Sequence, residues 1–186
     1  MTAEQRQVKP FSRLWFLLNA DELYVLTRFA YFAFLQNVAF RTAHHTLEYY
    51  LKAGLADSIP LEELKRLGHN LTSLHKRFCE VVSPLSVNEE EIDYLNHFEE
   101  LRYPRDNSFT HTGWGVPLNV FFERLEPDLR KRVACFSLTD IDRIVCGIRK
   151  VIATPDQLKM MVVTQEHADF LYRENRYFHQ PTPAEP

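Results

Sequence analysis

Apolar residues recur at helical spacing along most of this chain. The clearest stripe is Leu61, Leu64, Leu67, Leu71, Leu74, Phe78 and Val81, at steps of three or four. It predicts one amphipathic helix with Ser58 as N-cap and Pro60 in the first turn. Gly68 interrupts the stripe at a cost of about 1 kcal/mol relative to Ala, so close approach of a neighbouring backbone or side chain is expected there. Upstream, an apolar run from Phe11 to Leu18 leads to Asn19, read as an N-cap with Glu22 placed for a capping box. A stretch without Pro or Gly then extends from Ala20 to Ala53. It is long for one globular helix, so a break near Gln36-Asn37 is expected, with Gly54 as the final C-cap.

Further along, Asn88 and three glutamates open a helix carrying Ile92, Leu95, Phe98 and Leu101, their acids suited to the positive end of its dipole. Pro104 disfavours helical geometry at Tyr103, and a loop through Trp114 and Pro117 follows. A short helix is expected from Leu118 to Leu125. Ser137 or Thr139 caps a stripe of Ile141, Ile144, Val145, Ile148 and Ile152, and Thr154-Pro155 opens a last helix through Leu158, Met161, Val162, Ala168 and Leu171. With five glycines and no Asn-Gly or Asp-Gly turn, β-hairpins have no signal; the alternative strands are Val133 to Phe136 and Met161 to Thr164. The expected fold is all-α, an antiparallel bundle of five or six helices.

Length adds that 186 residues make one domain, 1–179, followed by a polar tail, 180–186, expected to be mobile. A formal charge of −3 gives no global attraction to phosphate backbones, and the Lys and Arg groups each have acids nearby. Cys79, Cys135 and Cys146 lack the spacing of a zinc or CxxC motif and read as buried thiols in a reducing compartment. No apolar signal core opens the chain, and the run from Phe29 to Leu35 is far short of a span of about 20 residues, so a cytoplasmic protein without membrane contact is expected. Leu23, Tyr24, Leu26, Phe29, Tyr31, Phe32 and Phe34 spread around one helix. A helix that is apolar all round is buried on more than one side, which predicts a homodimer through it.

Arg41, His45, Glu48 and Lys52 follow at steps of four, three and four and read as one ion-paired polar surface, with Ala43, Leu47 and Leu51 pointing elsewhere. His44 and Glu48 have metal-ligand spacing, but one pair lacks the third and fourth ligands, so neither a metal nor another cofactor is expected. There is no Gly-rich phosphate loop and no nucleophile elbow.

Three segments in order carry a family resemblance: Ala43 to Ala53, with Glu48 ahead of Leu51-Lys52-Ala53; Gly68-His69-Asn70-Leu71; and Leu101-Arg102-Tyr103-Pro104. Together they resemble the HEPN family (higher eukaryotes and prokaryotes nucleotide-binding). The resemblance implies an antiparallel helical bundle, often dimeric, in a family that includes ribonucleases of toxin and defence systems and many non-catalytic members. The ribonuclease members use an Arg followed after four to six residues by His, a spacing that Arg105 and His111 fit. His is suited to proton transfer near neutral pH and Arg to binding phosphate. The expected function is a non-catalytic dimeric module that binds a protein partner, nucleotide or RNA, with His69, Asn70, Arg102 and Tyr103 as binding residues. The alternatives are a metal-independent ribonuclease using Arg105 and His111, and a structural helical adaptor.

Overall fold

Ser12 starts the first helix: its Oγ accepts the Trp15 N–H at 3.2 Å, and α1 spans Arg13–Phe32. A computed structural model describes residues 12–98, 137–153 and 165–178, without the side chains of 165–167. Arg102, Tyr103, Arg105, His111, the helix expected at Leu118 to Leu125, both alternative strands, the start of the last helix and the 180–186 tail lie outside the described residues. The apolar run expected to precede α1 is part of it, and Asn19 sits mid-helix, its amide donating to the Trp15 carbonyl at 2.7 Å. Ser12 wins as cap because Phe16 and Leu17 are already buried on the core face.

The chain reverses at residues 33–35, where Phe34 has φ 60°, and α2 covers Gln36–Leu55. The break therefore falls where the length of the run placed it. α1 and α2 form an antiparallel hairpin, tied by Thr27 to Thr42 at 3.0 Å and by Tyr50 to Asp21 at 2.6 Å. Then come α3, Leu61–Leu67, α4, Leu71–Val81, and α5, Glu89–Asn96, opened by the Asn88–Glu91 capping box. α6 spans Leu138–Ile152, capped by Ser137 with Asp140, and α7 spans Gln165–Tyr172. All seven elements among the described residues are helices. α2 is central, packing against α1, α4, α5 and α6, while α7 lies against α1. Leu47, Leu51, Leu71, Leu74, Phe78, Ile92, Leu95, Phe98, Ile144 and Ile148 are all fully buried in one core. No helix among the described residues is long and apolar enough to cross a membrane.

The two glycines exchange the roles expected of them. Gly54 lies inside α2, one residue before its end, and a Cβ there would come within 2.2 Å of Phe78 Cε2 and 2.9 Å of Ile152 Cγ2. Gly68 ends α3 at φ 61°, ψ −129°, a backbone region costly for any residue with a Cβ, and nothing lies within 4 Å of its missing side chain. The long helix expected over Ser58 to Val81 is thus two helices joined through Gly68, His69 and Asn70, and Gly68 is not a packing contact.

Gly54→Ala should lower stability by about 1 to 3 kcal/mol through overpacking, outweighing a helix-propensity gain of about 1 kcal/mol. Gly68→Ala should also destabilise, by about 1 to 3 kcal/mol of backbone strain, and Gly68→Leu no more than that because the space is open. Thermal melts of the three variants check this; a penalty for Gly68→Leu far above that for Gly68→Ala would mean the site is crowded.

Two ion pairs cross the core. Arg149 donates to both oxygens of Asp21, at 2.8 and 2.7 Å. Arg28 donates to Asp142 Oδ2 and to the carbonyls of Phe170 and Arg173, and Asp142 also accepts from Tyr24 at 2.5 Å. Both arginines are fully buried.

Candidate functional site

The α3–α4 linker brings Gly68-His69-Asn70 onto the part of α2 that holds Glu48 and Lys52. Gly68 turns the chain, and Asn70 caps α4 by accepting the Ser73 N–H at 2.8 Å. Between them His69 lies beside α2, its Nδ1 3.0 Å from each oxygen of Glu48. Lys52, one turn on, donates to Glu48 Oε1 at 2.6 Å. The Glu48–Lys52 pair stands as read from the sequence, but Glu48 is only 1% exposed, so the pair is covered rather than solvated. Its carboxylate is held well paired: burial pushes its pKa up, but the Lys52 and His69 contacts outweigh that and leave it below the usual value.

Above this cluster a cavity of about 150 Å³ is walled by Trp15 and Phe16 of α1, Tyr49 of α2, Leu64 and Lys65 of α3, and by Glu48, Lys52 and His69. The Trp15 and Tyr49 rings stand 5.8 Å apart. The volume is below the roughly 300 Å³ of a pocket that engulfs a drug-sized ligand, so it suits one ring or one anionic group of a larger ligand. Two larger grooves lie elsewhere, one at Thr139, Tyr172 and Arg176 and one at Leu23, Val38 and Arg41, and neither gathers aromatic rings, lysines and a buried carboxylate.

Sequence reasoning placed His69 and Asn70 in mid-helix. The structure gives them different work: Asn70 holds the start of α4, and His69 lines the cavity with a side chain 57% exposed. Arg102 and Tyr103, assigned to binding, and Arg105 and His111, assigned to catalysis, lie outside the described residues. Missed were Glu48, Lys52, Trp15, Tyr49 and Lys65 as wall residues. The Gly68-His69-Asn70 tripeptide held the missing signal, because a helix-ending glycine followed two residues later by a capping Asn is a stop and a start.

His44, one turn before Glu48 on α2, is fully buried. Burial, and next the adjacent His45, lower its imidazole from 6.5 to about 3, with the Glu48 carboxylate acting the other way. The folded state therefore keeps this ring neutral while the unfolded chain takes up a proton below pH 6.5, so stability is full above that pH and falls as pH drops toward 3. One pKa unit is about 1.4 kcal/mol, so from pH 6.5 to 5 the loss should be about 2 kcal/mol. His75, likewise lowered by burial, adds in the same direction. Denaturant titrations at pH 7.5, 6 and 5 check it; a His44→Gln variant should flatten most of the slope, and a wild-type stability independent of pH over this range would contradict it.

Family models, characterised proteins and solved structures, compared with this chain, return no match.

Proposed function

We propose that the chain is a HEPN-like module that binds the end of a nucleotide or RNA ligand, without catalysis, in the cavity over Glu48, Lys52 and His69. One observation carries the reading: residues from two of the three family-like segments, separate in sequence, meet within 3.0 Å at the wall of one cavity. The lining supports a ligand that is planar and anionic. Trp15 and Tyr49 put aromatic rings in the wall, and base stacking on such rings is worth about 1 to 3 kcal/mol per base; Lys65 at the rim, paired with Glu62 at 3.0 Å and with a side chain 51% exposed, is a charge that phosphate can compete for. The ribonuclease alternative rests on Arg105 and His111, and no described side chain adds to it.

The module is further proposed to act as a homodimer. Leu26 and Phe29 on α1 and Phe34, Leu35 and Val38 around the turn to α2 are all at least 40% exposed, and a second copy is the partner that the apolar α1 anticipates. Light scattering at tens of micromolar, roughly where obligate dimers persist, tests assembly, and a monomer there would contradict it.

Calorimetric titration with nucleoside monophosphates and short single-stranded RNA at low salt tests binding. Saturable binding that Lys65→Ala and Trp15→Ala each weaken supports the reading. Cleavage of RNA by wild type but not by His111→Ala would replace it with the ribonuclease.

A further inference from the structure

The sequence offered one pair of metal-ligand residues, His44 and Glu48; the folded α2 adds a third. One donor atom each from His44, His45 and Glu48 lie within 4.8 Å of one another. We propose that His44, His45 and Glu48 form a binding site for a divalent transition-metal cation of the zinc type, a site of two imidazoles and one carboxylate on a single turn of helix.

Imidazole and carboxylate donors in this ratio suit zinc and its neighbours rather than magnesium or calcium, which take oxygen. Two ligands at about 2.0 to 2.1 Å from a tetrahedral ion stand about 3.3 Å apart. The widest pair must therefore close by about 1.5 Å, a side-chain adjustment for residues on one helical turn.

The supporting contacts are those a metal site needs. His45 Nδ1 lies 2.9 Å from the Arg41 carbonyl. A carbonyl only accepts, so Nδ1 carries the proton and Nε2 keeps the lone pair, the arrangement that fixes the tautomer of a ligating histidine. Glu48 is oriented by His69, whose Nδ1 is 3.0 Å from each of its oxygens. Lys52 is the opposing element: its ammonium occupies one Glu48 oxygen, so cation binding must displace or repel it. That predicts a signature a structural cluster would not show, since removing the lysine charge should tighten metal binding.

The inference does not rest on the ligand reading above and survives its failure. Metal-free full-length protein is titrated with ZnCl₂ by calorimetry and with CoCl₂ by visible absorption, using wild type, His45→Ala and Lys52→Met, with circular dichroism to confirm helix content. His45 is half-buried, so its truncation should leave the fold in place. The expected result is one ion per chain and a visible cobalt band, with affinity weakened at least about 10-fold in His45→Ala and increased in Lys52→Met. Absence of zinc uptake by wild type, or uptake unchanged in folded His45→Ala, would overturn the assignment; the second outcome would place the ion elsewhere, for example at Cys79 and His75, whose Sγ and Nε2 are 3.5 Å apart.

Discussion

Asp21→Ala should destabilise the protein by about 3 to 5 kcal/mol, the penalty for stripping a buried ion pair of one member. The carboxylate accepts two bonds from Arg149 and a third from the Tyr50 hydroxyl, all within the buried contact of α1, α2 and α6. Its removal leaves the fully buried Arg149 guanidinium without its counter-charge. The pair itself is worth far less than its halves, because desolvation offsets most of the attraction. An Asp21→Leu, Arg149→Met double variant should therefore recover most of the loss. Chemical denaturation of the single and double variants measures both; a loss under about 1 kcal/mol in Asp21→Ala, the size of an exposed pair, would mean that water reaches the site.

Arg28→Met should cost a similar amount, about 3 to 5 kcal/mol, with a different signature. Arg28 joins three elements: Asp142 of α6, and the Phe170 and Arg173 carbonyls in and just after α7. Asn175 extends the same network, donating to the Tyr24 hydroxyl at 3.0 Å. The variant should therefore release the C-terminal segment first, seen as hydrogen exchange that rises more over 165–178 than in α2. Burial already pushes the Asp142 carboxyl up, ahead of the lowering effect of Arg28. Without Arg28 it should rise further, so the acid form relieves part of the penalty and the gap from wild type narrows as pH falls. A uniform rise in exchange across the chain would contradict the latch.

The sequence was most legible where periodicity and caps agree. The stripe from Ile141 to Ile152, the Asn88 and Ser137 caps and the break ahead of Gln36 all stand in the structure. Periodicity failed at Gly68 for a geometric reason. Leu67 and Leu71 are four apart across a three-residue linker, so the stripe keeps helical phase through a break. A glycine inside a leucine stripe reads alike whether it ends a helix or packs against a neighbour, and only the fold separates Gly68 from Gly54.

Glu48 was misread because residues at steps of three and four on a polar face look the same under solvent or under a neighbouring element. Its partner, His69, is 21 residues away. The core pairs were distant too, 128 and 114 residues apart. They did leave a trace: Asp142 and Arg149 occupy the apolar stripe of α6, and Asp21 and Arg28 that of α1, where a charge calls for a buried partner.

Where His69 of the α3–α4 linker meets Glu48 of α2, the cavity is proposed to be a ligand site. Amide and side-chain NMR of the full chain, titrated with a nucleoside monophosphate, tests it most directly. Saturable shifts confined to Trp15, Tyr49, Lys52, Lys65 and His69 are expected, with the Trp15 indole N–H among the largest. Shifts concentrated elsewhere, or none at a concentration that saturates calorimetric binding, would contradict it.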